Sequence, residues 1–538
     1  MASSSNSLPF EHLVEALLNP DFYPHPVEVI TTIETHISIV FLTGRYAYKL
    51  KKPVNFGFLD FSTLQKRHQY YQLEFELNRR TAPQLYLDIL PIYQQTTTYT
   101  LNRPHSTQTP VEYLLKMQQF DPNQVLGRYL QHHSLTATQT QQIAQQIAQL
   151  HQQAEKAPFE SPWGTPEAIL QPMLDNFPPL LKAFSNPEIQ YKLRQLQAWT
   201  DFQAEQLHDI LNARKTSGYV CACHGDLHLD NITLINERPV VFDGIEFNEA
   251  FRWIDRMSDL AFLLIDLQDR KQPLLANQIL NQYLQQTGDY LGLQLLPFYQ
   301  VYRNLVRAKI TALRAQQLTQ QIEIQQTLKR AYHFILQAET IAYQLQQPQL
   351  ILMQGISGSG KSYVAEKIAP TVQGIVISSD IERKRLFGLS PLQRPTASER
   401  PALYGPEMNR NTYERLHQLA QTLLQLQYTV IIDATNLKKV HRQVFYALAQ
   451  QQHAQVRIIS VQKALTETAE QIKQRLQSNN NPSDATVEVM QMQHQWMEAV
   501  DQAELNAFHF PNETLYTLNQ TDDGAIEDLK KWLNTPID

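Results

Sequence analysis

Two separate segments of the 538-residue chain carry polar residues at spacings that suit the handling of phosphate groups. Residues 224–231, HGDLHLDN, followed by VVFD at residues 240–243, offer carboxylates and an amide oxygen that could hold a hard cation. Residues 355–362, GISGSGKS, offer backbone N–H groups, a lysine and a hydroxyl that could cradle a phosphate chain. The sequence therefore predicts two phosphoryl-transfer sites, each with ATP and Mg²⁺ as cofactors.

In the first segment, three polar residues have the spacing of a transfer site. Asp226 and Asn231 have a characteristic spacing along the chain. The catalytic aspartate and the magnesium-binding asparagine of a kinase catalytic loop have the same spacing. Strands ITLI and VVFD, joined by a turn at residues 236–239, predict a hairpin that returns Asp243 to the side of Asn231. We expect Asp226 to accept the proton of an acceptor hydroxyl, Asn231 and Asp243 to bind Mg²⁺, and His224 to position the loop.

Other polar residues nearby have open interpretations. A single aspartate here is more often a turn or cap residue, but three spaced members on one hairpin favour a site. We expect His228 and Asp230 to be exposed loop residues. Glu246 is either a metal or substrate contact or a simple surface residue.

The motif pair HGDLHLDNI and FDGIEF resembles the aminoglycoside phosphotransferase and choline kinase branch of the protein-kinase-like fold over most of residues 25–345. The resemblance implies a strand lysine that binds the α- and β-phosphates of ATP, and Lys49 in AYKLKKP matches it. Lys51 and Lys52 are weaker candidates, because charge at a strand end is usually solvated.

The same resemblance implies a helix carboxylate that pairs with the strand lysine. Glu74 and Glu76 in QLEFELNRR qualify, and we favour Glu74. Asp259 matches a family aspartate that braces the catalytic loop, with a helix N-cap as the other interpretation.

The first segment departs from protein kinases in two respects. The turn Glu34-Thr35-His36 stands where a glycine-rich loop would cover the phosphates. Gly225 replaces the arginine of the kinase loop, and no APE-like segment follows Asp243. A small hydroxylated acceptor is therefore favoured over a protein.

The second segment fits GxxxxGK[ST], and it follows an apolar strand and opens a helix, which is the context that this phosphate-binding loop requires. Lys361 is expected to reach the β- and γ-phosphates, and Ser362 to bind Mg²⁺. The nucleotide-binding residues that we predict in this loop are Gly355, Ser357, Gly358, Ser359, Gly360, Lys361 and Ser362.

Polar residues at the ends of the next two strands predict an acceptor side for this loop. Asp380 follows GIVISS and is expected to accept the acceptor's proton, with Arg383 steadying charge. Its other interpretation is a helix N-cap. Asp433 ends TVIID and is expected to hold Mg²⁺, unless it is only a strand-end turn residue.

This half resembles the polynucleotide kinase and zeta-toxin group of P-loop kinases over residues 349–535, through GISGSGKS, SSDIERKR and VIIDATN. The resemblance implies lid arginines that close on the ATP phosphates; Arg475 matches one, and Asn479 stands where a second is usual. The basic stretches ERKR and LKKVHR leave a nucleic-acid acceptor open, although solvated helix charge is the more common explanation.

The elements predict two domains. Residues 1–345 form an α+β, two-lobed kinase-like domain with an N-lobe at about 25–120 and a C-lobe at about 121–345, and residues 349–538 form an α/β domain with a parallel sheet. No apolar run is long enough to span a membrane and the N-terminus lacks the features of a signal peptide, so we expect a cytoplasmic protein. Cys221 and Cys223 should point to opposite faces of a strand, which makes a disulfide or metal site improbable.

Together these features predict a fusion of two kinases that act on hydroxyls of small molecules, sugars or nucleotides. The alternative is one catalytic domain regulated by a nucleotide-sensing domain. A P-loop domain that phosphorylates nucleic-acid 5′-hydroxyls is disfavoured by the net charge of −6. Nothing in the sequence indicates an oligomeric state.

Overall fold

The computed structural model describes residues 10–57, 59–96, 98–102, 107–344, 347–478 and 482–535. Contacts divide the chain into two compact units, Met1–Leu174 with Asp201–Leu263, and Asp175–Thr200 with Leu264–Asp538. The domain boundary expected between residues 345 and 349 lies partly outside the described residues and stays a prediction.

The first unit begins with a helix and an antiparallel sheet in the order β1-β2-β3-β6-β4-β5. The elements are α1 (Phe10–Leu17), β1 (Thr31–Glu34), β2 (Ser38–Leu42), β3 (Tyr46–Lys51), α2 (Leu64–Arg79), β4 (Tyr86–Gln95), β5 (Thr98–Thr100) and β6 (Glu112–Gln118). Because side chains alternate along a strand, Tyr48 and Leu50 pack into the core that contains α1, while Lys49 and Lys51 share the other face of β3.

Helix α2 presents a polar face to the protein interior. Thr63 caps its N-terminus by accepting a hydrogen bond from the Lys66 N–H at 3.3 Å. Its buried residues recur at helical spacing, and they are Arg67, Tyr71, Glu74 and Asn78. This face therefore brings a carboxylate to the lysines of β3.

A mainly helical segment follows, with a short two-stranded sheet and a hairpin inserted in it. Its elements are α3 (Leu126–Tyr129), α4 (Ala137–Gln153), α5 (Pro166–Leu174), α6 (Phe177–Ala183), α7 (Pro187–Thr216), β7 (Val220–Ala222), β8 (Ile232–Ile235), β9 (Arg238–Val241), α8 (Glu249–Arg252), β10 (Trp253–Asp255) and α9 (Arg256–Asp269). The hairpin turn is shorter than expected. Asn236 and Glu237 alone form it, both with positive φ, which is the two-residue turn that matches strand twist.

The cysteine prediction was wrong. Residues two positions apart on an extended segment point to the same face and not to opposite faces, and the two Sγ atoms lie 3.5 Å apart. Both cysteines are free and buried. His151, Cys223 and Asp259 also place one ligand atom each within 4.8 Å of one another.

The second unit contains a five-stranded parallel sheet in the order β12-β13-β11-β14-β15, which confirms the predicted P-loop class. Its elements are α10 (Pro273–Thr287), α11 (Leu296–Ala315), α12 (Gln321–Tyr343), β11 (Gln349–Gln354), α13 (Lys361–Ile368), β12 (Ile375–Ser378), α14 (Ser379–Leu386), α15 (Arg400–Leu403), α16 (Pro406–Gln425), β13 (Val430–Asp433), α17 (Lys439–Gln451), β14 (Gln455–Val461), α18 (Leu465–Ser478), α19 (Val487–Trp496), α20 (Gln502–Ala507), β15 (Leu515–Leu518) and α21 (Asp523–Leu533). Helices α13 and α21 share one apolar core with the sheet, and α17 contacts β11 and β14. We did not predict β15, whose partly exposed LYTL carries little strand signal.

Helix α10 and the residues after it are bonded to β12, the edge strand of this sheet. Asn281 accepts from the Val376 N–H at 2.7 Å and donates to the Gly374 carbonyl at 2.9 Å. The Tyr290 hydroxyl donates to the Val376 carbonyl at 3.2 Å. The strand that leads to Asp380 is therefore fixed from its outer side.

Among the described residues, no helix combines the length and apolar character needed to cross a membrane.

Candidate active sites

The first site is organised around Lys49 on β3. Its Nζ lies 2.7 Å from Oε1 of Glu74 and 3.0 Å from Oδ1 of Asp243. Glu76, the other candidate partner, is exposed. The structure thus brings together the lysine, the helix carboxylate and the residue at the end of the hairpin.

The position of Asp243 is set by its backbone. Its φ is 62°, a left-handed conformation that ends the strand, and its N–H donates to the Tyr86 hydroxyl at 3.1 Å. The next N–H, of Gly244, donates to Oδ1 of Asn78 at 2.7 Å. Contacts from β4 and α2 therefore hold the Asp243 carboxylate near Lys49.

The catalytic loop is braced by Asp259, one of the two roles that the sequence left open. Its carboxylate accepts from the N–H groups of His224 at 3.0 Å and Gly225 at 2.9 Å. Gly225 has φ 87°, and a Cβ there would lie 2.7 Å from the Phe251 carbonyl, so only glycine fits. His224 contacts the Phe242 carbonyl through Nε2 at 2.8 Å, which ties the loop to the hairpin.

Asp226 and Asn231 lie together on this loop. Asn231 Nδ2 donates to the Asp226 carbonyl at 2.9 Å, and its own carbonyl accepts from the Phe242 N–H at 3.0 Å. His228 Nε2 lies 3.2 Å from Oδ2 of Asp226, and its side chain is only 18% exposed. The expectation that His228 is an exposed loop residue was wrong, because the loop folds its ring back onto the carboxylate.

Two charged residues that the sequence treated as peripheral are buried beside the site. Lys51 is 1% exposed and Glu246 is 5% exposed. The Lys51 Nζ lies 2.5 Å from Oε2 of Glu74 and also pairs with Glu246. Solvated charge at a strand end does not describe Lys51, and a surface role does not describe Glu246.

The electrostatics follow from this burial. Burial would raise the pKa of Glu74, but Lys49 and Lys51 outweigh it and hold that pKa at about 2. Burial would lower the pKa of Lys49, but Asp243 and Glu74 raise it well above its ordinary value. Burial raises the pKa of Glu246, opposed by Lys51. All the charges near Lys49 are thus compensated within the protein.

In the second site the glycine loop connects β11 to α13. Gly355 has φ 146°, and a Cβ there would lie 2.5 Å from the Val461 carbonyl. Ser357 donates its N–H to Oε1 of Gln493 at 2.7 Å. The hydroxyl of Ser359 is buried and has no hydrogen-bond partner in the described part of the chain. Lys361 donates from Nζ to the Ile356 carbonyl at 2.8 Å.

The loop opens into a cavity of about 880 Å³. Of the predicted site residues, those lining the cavity are Ser357, Gly358, Gly360, Lys361, Ser362, Asp380, Arg383, Asp433 and Arg475. Gly355 and Ser359 are not among its lining residues. The phosphate-binding loop and the acceptor-side residues therefore face one space.

Asp433 lies at the end of β13 and lines the same cavity as Ser362. Burial raises its pKa, opposed by Lys361. Burial also lowers the pKa of Lys361 to about 8, which Asp433 and Asp380 only partly offset. A cation or phosphate group entering here would meet oxygen donors and an ammonium group that are already desolvated.

Asp380 and Arg383 lie on α14. The N-cap of this helix is Ser378, so Asp380 occupies the first turn and is not the cap. Arg383 donates to the Leu403 carbonyl at 3.4 Å and lies over the Tyr404 ring at 5.4 Å. Its Nε is buried without a partner among the residues that the structure describes.

The lid side of the cavity contains a buried ion-pair cluster that the sequence did not reveal. Asp484 lines the cavity and lies 3.1 Å from the Nζ of the fully buried Lys384. It also accepts from the Tyr404 hydroxyl at 2.9 Å and pairs with Arg394. Asn479, the expected departure in the lid, lies outside the described residues.

At least one cation of each basic stretch is buried and is therefore not solvated helix charge, whereas Lys438 is exposed. Lys384 of ERKR is buried with Asp484, and Arg442 of LKKVHR is buried in a pair with Glu504 and donates to the Asn436 carbonyl at 3.0 Å. These cations are used to fix the fold. The sequence suggested solvated helix charge or nucleic-acid binding for these stretches, and it did not predict buried ion pairs.

Family models match both halves. Residues 99–296 match the phosphotransferase enzyme family, and residues 350–500 match an AAA domain. Uncharacterized proteins of Mycobacterium tuberculosis and Mycobacterium bovis are 28% identical to this chain over 468 residues, which is 86% of this chain and 90% of theirs.

Solved structures with detectable similarity include kinases that resemble each half. A choline/ethanolamine kinase family protein from Mesorhizobium loti is 12% identical, with 62% of this chain and 99% of that chain covered and a TM-score of 0.36. An ethanolamine kinase from Plasmodium vivax is 12% identical over 59% of this chain and 86% of its own, with a TM-score of 0.35. The APS kinase of Mycobacterium tuberculosis is 14% identical over 35% of this chain and 99% of its own, with a TM-score of 0.26.

Residues 224–243 lie within the first matched range, and the glycine loop, Asp380 and Asp433 lie within the second, whereas Lys49 and Glu74 precede the first range. The chain therefore joins a segment that matches the phosphotransferase enzyme family, at residues 99–296, to a segment that matches an AAA domain, at residues 350–500.

Proposed function

We propose that this protein has two ATP- and Mg²⁺-dependent active sites, each of which transfers the γ-phosphoryl group to a hydroxyl of a small molecule, sugar or nucleotide. The observation that carries this proposal is the single cavity lined by Lys361, Ser362 and Asp433 on one side and by Asp380 and Arg383 on another. Phosphoryl transfer needs this pairing of phosphate-binding groups with a proton acceptor, because alignment and charge neutralisation dominate its catalysis.

In the second site the roles follow from position. Lys361 and the loop N–H groups bind the phosphate chain at the N-terminus of α13, where the helix dipole favours anions. Asp380 takes the proton of the acceptor hydroxyl, and Arg383 steadies charge with its guanidinium group, whose Nε has no hydrogen-bond partner among the described residues. Arg475 closes the site from the lid.

The donor atoms of the second site suit Mg²⁺. Ser362 and Asp433 offer a hydroxyl and a carboxylate, which are hard oxygen ligands, and both line the same cavity. Bound there, Mg²⁺ would neutralise phosphate charge during transfer.

In the first site Lys49, fixed by Glu74, binds the α- and β-phosphates. Asp226 takes the acceptor proton, and Asn231 Nδ2 donates to the Asp226 carbonyl at 2.9 Å, which orders the base relative to the hairpin. Asn231 and Asp243 offer an amide oxygen and a carboxylate for Mg²⁺, again a hard oxygen set. Asp243 is the more accessible of the two, with its side chain 47% exposed.

The test is transfer of labelled phosphate from ATP to a panel of hydroxylated metabolites and a 5′-hydroxyl oligonucleotide. We expect Asp226→Asn and Asp380→Asn each to abolish labelling of a different acceptor, and the double variant to label none. Asp209→Asn, at an exposed surface position, is the matched control and should match wild type.

Tight ATP binding with no labelled acceptor would refute the two-kinase proposal and favour a nucleotide sensor. Loss of oligonucleotide labelling in Asp380→Asn alone would show that the second acceptor is a nucleic acid.

A further inference from the structure

Glu74 is held by two lysines and not by one. Its fully buried carboxylate pairs through Oε1 with Lys49 at 2.7 Å and through Oε2 with Lys51 at 2.5 Å. Lys51 also pairs with Glu246, which lies three residues after Asp243. Lys51 therefore lies between two buried carboxylates.

Lys51 is fixed in this place by its surroundings. Its Nζ lies 4.7 Å from the centre of the Phe61 ring and 5.2 Å from that of Tyr71. Its backbone N–H donates to the Tyr71 hydroxyl at 2.6 Å. Burial of an ammonium group is costly unless it is paired, and Glu74 and Glu246 are carboxylates that pair with this one.

The two lysines that pair with Glu74 differ in their other partners. Lys49 has a second partner, Asp243, whose side chain is 47% exposed, whereas both partners of Lys51 are buried. Without Lys51, Glu74 would depend on Lys49 alone, and Lys49 would be drawn away from any phosphate. With Lys51 present, one oxygen of Glu74 is satisfied whatever Lys49 contacts.

We propose that Lys51 and Glu246 are positioning residues, which hold Glu74 so that Lys49 can exchange its contact with Asp243 for a phosphate of the nucleotide. This inference rests on the proposed nucleotide site of the first half. Lys51 and Glu246 touch no substrate and act through Glu74 and Lys49.

The experiment measures binding of a fluorescent ATP analogue, mant-ATP with Mg²⁺, to the full chain carrying Lys361→Met, which silences the second site. In this background Lys51→Met/Glu246→Gln removes the pair without leaving an unpaired buried charge. The matched control is Lys66→Met, which removes a lysine paired with Asp60 at the surface.

We expect the double variant to keep its thermal transition and to raise the Kd of mant-ATP about tenfold, which corresponds to ~1.4 kcal/mol. Lys51→Arg, which keeps the charge, should recover most of the affinity, and Lys66→Met should leave it unchanged. A residue that only stabilised the fold would shift the thermal transition and leave the Kd unaltered.

Unchanged affinity in a folded double variant would overturn the inference. If that variant does not fold, the single variant Glu246→Gln decides, since glutamine has nearly the same shape as glutamate. We expect it to lose roughly threefold in affinity for mant-ATP, or ~0.65 kcal/mol. Unchanged affinity in this variant would overturn the inference. If the Lys361→Met background itself binds no mant-ATP, the proposed first site fails and this inference fails with it.

Discussion

Lys49 and Lys361 have the same proposed task in opposite electrostatic settings. The pKa of Lys49 is well above its ordinary value because Asp243 and Glu74 outweigh the effect of burial. The pKa of Lys361 falls to about 8 because burial outweighs Asp433 and Asp380. Lys49 donates to carboxylates, whereas Lys361 donates to the Ile356 carbonyl.

The difference shows two ways to prepare a lysine for a phosphate chain. The first site carries its own counter-charges, so an arriving nucleotide has to displace an ion pair between Lys49 and Asp243. In the second site, negative charge of the protein does not fully compensate the buried Lys361, so the phosphates of the nucleotide supply the remaining negative charge. The first lysine is thus insensitive to pH near neutrality, and the second is sensitive.

The largest expected effect comes from removing each lysine. We expect Lys49→Met and Lys361→Met each to lower the transfer rate of its own site by about 10² to 10³ and to spare the other, because each removes a charge that stabilises transferring phosphate. Steady-state transfer to the two acceptors measures this. Loss of both activities in either variant would mean that the sites are not independent.

The side chains that support the second site differ from those that support the first. A substitution of Asn281 tests the contribution of one of them to stability. We expect Asn281→Leu to destabilise the second unit by about 1–3 kcal/mol, because the Val376 N–H loses its acceptor and the Gly374 carbonyl keeps only its bond from Asn277. Thermal and denaturant unfolding measure it. Asn304→Leu is the matched control: Asn304 is also buried, but its Nδ2 donates only within its own helix, to Gln300. Equal losses in both variants would assign the effect to general packing.

The contrast in pKa predicts a contrast in pH dependence. Lys361 loses its proton as the pH rises through about 8, so nucleotide binding at the second site should weaken up to about tenfold between pH 7 and 9. Lys49, with its raised pKa, should keep the first site unchanged over that range. Titration of Lys49→Met reports the second site and titration of Lys361→Met the first; parallel profiles would contradict the comparison.

The smallest expected effect is at Tyr404, which ties the acceptor side to the lid. Tyr404→Phe removes the hydrogen bond to Asp484 but keeps the ring beside Arg383, so stability should fall by about 1 kcal/mol. A change in acceptor KM without loss of stability would instead place the hydroxyl in contact with substrate. Chemical denaturation and kinetics together separate these outcomes.

Local sequence was sufficient to predict the fold classes and the elements that carry the motifs. The glycine loop follows a strand and opens a helix, and Asp433 ends a strand, as the alternation of apolar segments indicated. The same alternation of apolar segments predicted the parallel sheet, with the exception of strand β15. The roles of the site residues stay predictions that the experiments above address.

Burial of charge could not be read from the sequence. Lys51 and Lys52 are neighbours of the same type, yet Lys51 is enclosed by α2 and Glu246 while Lys52 pairs with the exposed Glu34. Their difference depends on partners up to 195 positions away along the chain. Asp484 was missed for the same reason, because Lys384, Arg394 and Tyr404 meet it only in the folded protein.

The side chains that bond the outer side of β12 also protect the protein from self-association. An edge strand normally offers free N–H and C=O groups to any other strand, and parallel pairing of such edges begins aggregation. Here Asn281 and Tyr290 occupy the outward N–H and carbonyl of Val376, so a second chain could not pair with these two groups. Separated from α10 and the residues that follow it, the P-loop half would expose this edge and become prone to aggregate.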